Sequence, residues 1–216
     1  KTGPFQIDPD ASRWGRVCSE AAKYFEEIRA HTPDDWEFAF DPHAKIFEPI
    51  RAVQLADALA PYDPMFFEEP LRPEHIPQWQ RLRKQMRVPL ATGESLFGRF
   101  EFLDLIARNA VDIIQPDVCI CGGLLEMRKI AAIAEAHYVS VAPHNPMGPI
   151  STAVNVHFAA ATHNFTILEY YLPTDAAWEN WVDEPYVPTD GYLHIRPDRP
   201  GLGIEVNEEA ITNNDF

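Results

Sequence analysis

The stretch PMFFEEP, residues 64–70, decides the fold class because an apolar run ends abruptly in two carboxylates and a proline. A strand that is buried on both faces has a short continuous apolar run, and residues 65–67 fit that pattern. An isolated buried charge is costly, so Glu68 must lie at a solvent-facing rim, be paired, or hold a metal ion. Whether the pattern recurs along the chain decides between these interpretations.

The pattern does recur. Short apolar runs alternate with longer segments in which apolar residues return every three or four positions, which is typical of strands alternating with amphipathic helices. The strand candidates are residues 36–40, 65–67, 88–92, 111–116, 139–143 and 165–168. A first helix is predicted over roughly residues 11–29, with Asp10 as its N-cap. Strands that alternate with helices predict βαβ units and a parallel sheet.

One ionisable side chain follows each predicted strand, at intervals of 23 to 27 residues. These side chains are, in chain order, Asp41, Glu68, Glu94, Asp117, His144 and Glu169. In a (β/α)₈ barrel the carboxyl ends of the strands line one mouth, where catalytic groups converge. A doubly wound sheet would instead spread them along an open edge, and its G-x-G-x-x-G fingerprint follows no strand here. The sequence therefore predicts an α/β protein with a barrel of the TIM type.

The six predicted strands are fewer than the eight of a closed barrel. We expect Lys1 to be the last residue of an earlier strand, so that the six correspond to strands three to eight. The chain is then expected to be part of a longer protein. Residues 1–170 would form a partial barrel with the active site, and residues 171–216 a C-terminal segment that packs back on the barrel or on a further domain.

The composition excludes several classes of partner. The net charge is −15, from 33 acidic and 18 basic residues, which argues against a surface for nucleic acid or anionic lipid. No apolar stretch reaches the roughly 18 residues of a membrane span. The three cysteines are too few and too badly spaced for a disulfide framework. We therefore expect a cytoplasmic protein that binds neither nucleic acid nor membranes. A homo-oligomer is a separate expectation.

The predicted rim residues suggest two chemical groups. Three carboxylates that converge repel one another unless a cation neutralises them, and an all-oxygen ligand set favours Mg²⁺ over Zn²⁺. That set would consist of Asp41, Glu68 and Glu94. Asp117 and His144 follow neighbouring strands, and an aspartate bound to an imidazole fixes its tautomer and raises its basicity. This pair is therefore a candidate general base.

Other rim residues could assist this chemistry. His43 stands two residues beyond Asp41 and is a candidate general acid. Glu169 could bind a substrate oxygen or merely end the last strand. Ser95 and Asn145 are further rim residues that could contact the substrate. Glu69 is expected to point away from Glu68, because neighbouring side chains of a strand face opposite sides.

Several motifs together resemble a known family. They are FDPH (40–43), FFEEP (66–70), ATGES (91–95), IIQPD (113–117), CGG (121–123), APHNPMGP (142–149) and ILEYY (167–171). In this order and at these spacings they resemble the barrel motifs of the enolase superfamily, mandelate racemase subgroup. Within that subgroup they are most similar to the galactonate dehydratases and related sugar-acid dehydratases.

The resemblance implies a role for each residue. It implies that Mg²⁺ is held by the three carboxylates, that Asp117 and His144 form the base dyad, and that Glu169 assists the developing enolate. His43 would protonate a leaving hydroxyl. The implied enzyme is a hydro-lyase that removes the C2 proton of an aldonate and eliminates the 3-hydroxyl, giving a 2-keto-3-deoxy acid.

Two alternatives remain open. A racemase or epimerase of a 2-hydroxy acid could use the same scaffold, but racemases of the subgroup carry Lys-x-Lys where this chain reads Lys1-Thr2-Gly3. A barrel without catalytic activity is the second alternative, because the N-terminal capping domain of the family is not part of this sequence. The intact carboxylate set and dyad speak against that alternative.

Overall fold

The computed structural model describes residues 1–171 and 180–212. Within these ranges short strands alternate with helices, and a 3₁₀ turn follows the second helix at Ala60–Tyr62. The helices are α1 (Trp14–Ala30), α2 (Pro49–Leu59), α3 (Ile76–Gln85), α4 (Gly98–Ala107), α5 (Leu124–Ala136), α6 (Pro149–Ala160) and α7 (Glu208–Thr212). The strands are β1 (Ala39–Phe40), β2 (Phe66–Glu68), β3 (Leu90–Thr92), β4 (Ile113–Ile114) and β5 (Ser140–Val141).

The chain divides into two compact units. The first unit comprises residues 1–93 and 103–114, and the second comprises residues 94–102 and those from 115 onward. Helix α4 begins in the second unit and ends in the first. The predicted domain boundary at residue 170 remains a prediction, and part of its C-terminal segment lies outside the described residues.

The first unit contains a parallel sheet in which β1 to β4 are neighbours in chain order. The sheet extends before β1, since Thr2 forms a parallel bridge with Phe40. The amide of Thr2 donates to the carbonyl of Ala39 at 3.0 Å, and the amide of Asp41 donates to the carbonyl of Thr2 at 3.0 Å. The chain beside Lys1 therefore pairs with the sheet, as the sequence predicts for the end of an earlier strand.

Aromatic side chains fill the core of the first unit. The rings of Phe25, Phe40 and Phe67 follow one another, with centroids 5.4 Å and 4.3 Å apart. Each of these residues is at most 1% exposed. They come from α1, β1 and β2, so the apolar run that ends in Glu68 is anchored under helix α1.

The second unit contains β5, α5 and α6. Helix α5 buries Met127, Ile130 and Ala134. The predicted strand over residues 165–168 does not form a regular strand. Phe165 makes an isolated parallel bridge with Val141 instead. The reason is Pro143, which has no N–H to continue the ladder beyond β5.

The first helix begins later than the sequence predicts. Helix α1 starts at Trp14 with Arg13 as its N-cap, so the assignment of Asp10 as N-cap is wrong. The carboxylate of Asp8 accepts hydrogen bonds from the amides of Asp10 and Ala11 at 2.8 and 3.2 Å. An aspartate that binds its own following backbone forms a turn, and this turn delays the helix.

The described part of the C-terminal segment packs on α6. Tyr186 is buried with Ala153 and Val156, and Leu193 and Leu202 contact the same cluster. The segment is closed by an antiparallel bridge between residues 182 and 206. The C-terminal segment thus completes the apolar side of the helix that follows His144.

Candidate functional site

The first unit places two of the predicted metal ligands around one cation. The ammonium of Lys1 lies 2.6 Å from Oε1 of Glu68 and 3.4 Å from Oδ2 of Asp41. The Glu68 side chain is 1% exposed and that of Asp41 is 8% exposed. Buried carboxylates need a compensating positive charge, and Lys1 supplies it. The sequence places Lys1 only at the end of an earlier strand and predicts no contact between Lys1 and the carboxylates.

His43 lies beside Asp41. Its backbone N–H donates to Oδ1 of Asp41 at 2.7 Å, and its Nδ1 lies 3.2 Å from Oδ2 of Asp41. The backbone of His43 and Ala44 is left-handed, with φ of 58° and 54°. The amide of Ala44 donates to the carbonyl of Glu69 at 2.7 Å, which ties this turn to the end of β2. The imidazole is exposed, so a substrate can reach it.

Glu69 is buried rather than solvent-facing. It is 2% exposed, and its carboxylate accepts a hydrogen bond from the hydroxyl of Thr92, which is also buried. Its amide donates to the carbonyl of Ala91 at 2.9 Å, so Glu69 continues the pairing of Glu68 with Ala91, and the next residue along β3 is Thr92. Glu69 joins the carboxyl ends of β2 and β3, and we expect its substitution to affect stability.

The second unit contains an aspartate–histidine dyad. Nδ1 of His144 lies 2.8 Å from Oδ2 of Asp117, which is 1% exposed. The other oxygen of Asp117 accepts the backbone N–H of Cys119 at 2.7 Å. A carboxylate accepts only, so Nδ1 of His144 carries the hydrogen and Nε2 carries the lone pair when the ring is neutral.

Two further carboxylates face Nε2 of His144. Oε2 of Glu94 lies 3.5 Å from Nε2, and Oε2 of Glu169 lies 3.9 Å from it. Burial lowers the pKa of His144, but the hydrogen bond to Asp117 and the charges of Glu94 and Glu169 outweigh it, so the pKa lies above its usual value. A raised pKa makes the neutral imidazole a stronger base. In the second unit, Nε2 of His144 is therefore a proton acceptor next to two carboxylates.

The two rim residues Ser95 and Asn145 differ in exposure. Ser95 is exposed and can meet a ligand. Asn145 is 1% exposed, and its side-chain amide is engaged with neighbouring groups of the second unit. Asn145 therefore does not serve as a surface for reading a substrate.

The predicted metal trio has ligands in both units, and it stays a prediction. In residues 1–171 and 180–212, no three His, Cys, Asp or Glu side chains form a group that could hold a metal ion. The donor set of the first unit nevertheless fits a cation, because two nearly buried carboxylates already share the ammonium of Lys1. Carboxylate oxygens are the ligands that Mg²⁺ prefers.

The comparison with known proteins identifies the family. Residues 5–210 match the family described as Enolase C-terminal domain-like. The chain belongs to this family. The predicted fold class, an α/β barrel of the TIM type, and the resemblance to the mandelate racemase subgroup are thereby confirmed.

Relatives with names share much of the chain. The D-galactonate dehydratase of Pectobacterium atrosepticum is 36% identical over 202 residues, which cover 91% of this chain and 52% of that protein. The D-galactonate dehydratase of Ralstonia nicotianae is also 36% identical and covers the same shares. This chain spans about half the length of the curated relatives that it matches.

Solved structures show the same fold. An enolase from Agrobacterium radiobacter, provisionally named a galactarate dehydratase and solved with sodium and L-malate, is 52% identical with a TM-score of 0.94. The match covers 99% of this chain and 57% of that one. A protein from Labrenzia alexandrii, provisionally named a mandelate racemase/muconate lactonizing enzyme, is 32% identical with a TM-score of 0.84. That match covers 93% of this chain and 53% of the other.

In the described residues, no helix is long and apolar enough to cross a bilayer.

Proposed function

We propose that the complete protein is a Mg²⁺-dependent dehydratase of a sugar acid. The reaction removes the proton at C2, next to the carboxylate, and expels the 3-hydroxyl as water. The observation that carries this proposal is the contact of 2.8 Å between Nδ1 of His144 and Oδ2 of Asp117, which leaves Nε2 available as a base. The names of the relatives support the same reaction class.

The first step is a proton transfer to His144. The Nδ1–H bond to Asp117 fixes the ring, and the lone pair of Nε2 takes the C2 proton. The charge of Asp117 then stabilises the imidazolium. Glu169, whose backbone N–H donates to the carbonyl of Pro143 at 3.4 Å, would contact the enolate oxygen of the substrate.

The second step is the departure of the 3-hydroxyl. We propose that the imidazole of His43 gives its proton to that oxygen as the C3–O bond breaks, because hydroxide is a poor leaving group. The contact of 3.2 Å with Oδ2 of Asp41 keeps the ring at the site. The resulting enol tautomerises to the 2-keto-3-deoxy acid, and one water is released.

The carboxylates that would hold Mg²⁺ are Asp41, Glu68 and Glu94. Their places after successive strands support this assignment, as does the cation that Asp41 and Glu68 already share. When bound, Mg²⁺ supplies the positive charge that offsets the second negative charge of the enolate.

For the substrate we propose an aldonate, as the names of the curated relatives suggest. The structure from Agrobacterium radiobacter makes an aldarate, which has a carboxylate at both ends, the competing choice. The test is a screen of the complete protein with Mg²⁺ against matched pairs of aldonates and aldarates, with His144→Asn as the blank. Formation of 2-keto acid from aldonates is expected.

Each other result of the screen corrects a defined part of the proposal. Formation of keto acid from aldarates alone would show that the substrate is an aldarate and not an aldonate. An epimerised acid without keto product would favour the racemase or epimerase. No change in any acid in the presence of Mg²⁺ would contradict an enzymatic function of this kind.

A further inference from the structure

A buried amide stands next to the proposed base. Asn145 follows His144 in the chain, and both hydrogens of its Nδ2 are used. One is donated to Oγ1 of Thr152 and the other to the backbone carbonyl of Glu169, each at 3.0 Å. A backbone carbonyl can only accept, so the amide orientation of Asn145 is fixed by its partner.

The carbonyl oxygen of the same amide is engaged as well. Oδ1 of Asn145 lies 2.8 Å from Oγ of Ser151 and accepts from Nδ2 of Asn155 at 3.0 Å. The side chain of Asn145 is therefore engaged at both ends of its amide, in a setting where Asn145 and Asn155 are at most 1% exposed. Hydrogen bonds at both ends of a buried amide hold it in one orientation.

The backbone of Asn145 reaches the carboxylate of Glu169. Its N–H donates to Oε2 of Glu169 at 3.0 Å, and this same oxygen lies 3.9 Å from Nε2 of His144. One residue thus holds both the main chain and the carboxylate of Glu169. Without this restraint, Coulomb attraction would draw the carboxylate onto the imidazolium that forms when His144 takes a proton.

We propose that Asn145 is a positioning residue that keeps Glu169 apart from His144 and available to the substrate. This inference rests on the proposed function, because it assumes that His144 is the base and that Glu169 contacts the enolate. Asn145 acts through Glu169 and does not itself touch the substrate. The network on α6, which includes Thr152, Ser151 and Asn155, holds Asn145 in place.

The test uses three substitutions on or next to helix α6 in the complete protein. Thr152→Val keeps the shape but removes the acceptor for Nδ2 of Asn145, whereas Thr152→Ser restores it. Thr162→Val is the matched control. The hydroxyls of Thr152 and Thr162 both donate to the carbonyl four residues earlier, at 3.0 and 2.6 Å, but Thr162 lies beyond the other end of the helix.

Catalysis should separate these variants. For Thr152→Val we expect kcat to fall roughly 10- to 100-fold, because the loss of an outer hydrogen-bond partner of a site typically costs that much activity. KM should change by less than about threefold. Thr152→Ser and Thr162→Val should stay close to the wild type. Equal losses in Thr152→Val and Thr162→Val, or a wild-type kcat in Thr152→Val, would overturn the role of Asn145.

A second readout does not depend on the reaction. The amide hydrogen of Asn145 should exchange with D₂O at least roughly tenfold faster in Thr152→Val than in Thr152→Ser, because the loosened side chain weakens its bond to Glu169. Unchanged exchange would overturn the positioning role even in an active enzyme. If the wild type dehydrates no sugar acid yet the exchange differs as expected, the network stands and the proposed function fails.

Discussion

Glu68 in the first unit and Asp117 in the second are buried carboxylates that are held in different ways. In the first unit, the buried carboxylate of Glu68 is balanced by the ammonium of Lys1, a long side chain that reaches the site from the edge of the sheet. In the second unit, Asp117 and Glu169 are held by backbone N–H groups at 2.7 and 3.0 Å. A flexible cation can exchange with another cation, whereas fixed hydrogen bonds set a geometry before the substrate arrives.

This difference matches the two chemical tasks of the proposed reaction. A metal site must admit and release an ion. The ammonium of Lys1 neutralises the carboxylates while no ion is bound, and its flexible side chain can move aside for one. A general base must stand at a defined distance from the proton that it removes, so rigidity around His144 is an advantage. We therefore expect substitution of Glu68 to change the dependence on Mg²⁺ and substitution of Asp117 to change proton transfer to His144.

The largest effect is expected for Glu68→Gln in the complete protein. The change keeps the shape but removes one anionic ligand, so turnover should be lost. The affinity for Mg²⁺, measured by calorimetry, should fall by more than the roughly 10- to 100-fold that the loss of an outer partner costs. Glu74→Gln, at an exposed glutamate of the same unit, is the control. Normal Mg²⁺ affinity in Glu68→Gln would remove Glu68 from the ligand set.

Asp117→Asn should leave Mg²⁺ binding intact and slow proton removal. An amide can present its N–H₂ group to Nδ1 of His144 and so favour the wrong tautomer, an effect on the order of 10⁴-fold where an aspartate orients a catalytic histidine. NMR of C2 deuteration in D₂O measures this step. Asp104→Asn, at an exposed partner of Arg108, serves as the control. C2 exchange at the wild-type rate would show that the dyad is not the base.

The smallest effect is expected for Lys1→Met. Loss of the ammonium leaves Asp41 and Glu68 without the cation that they share, so Tm in EDTA should fall. Mg²⁺ should then raise Tm more than it does in the wild type. Lys23→Met, at a surface lysine paired with Glu20, is the control. An identical response to Mg²⁺ in the two lysine variants would contradict the exchange of one cation for another.

The spacing of strands and helices made much of the fold predictable. It gives the parallel sheet, the chain order of its strands and the place of an ionisable group after each of them. The spacing also puts Asp117 and His144 after neighbouring strand candidates, and the structure has them 2.8 Å apart. The predicted sixth strand is the exception, because the proline that interrupts its ladder lies in the preceding segment, at residue 143.

The remaining features depend on individual conformations that no periodicity encodes. The buried contact of Glu69 with Thr92 depends on the register of β2 against β3, which the spacing of the elements does not give. The contact between Lys1 and Glu68 joins residues 67 positions apart. Asn145 looks like a rim residue in the sequence, and only the packing of α6 shows that its amide is buried.

Substitution of each histidine in turn tests the proposed mechanism most directly. The measurement is NMR of the recovered sugar acid and its product after incubation of the complete protein in D₂O with Mg²⁺. His144→Asn should lose both C2 exchange and dehydration, because no group remains to remove the proton. His43→Asn should still exchange C2, through reprotonation by deuterated His144, while it forms little keto acid. Dehydration at the wild-type rate by His43→Asn, or C2 exchange in His144→Asn but not in His43→Asn, would contradict the assignment.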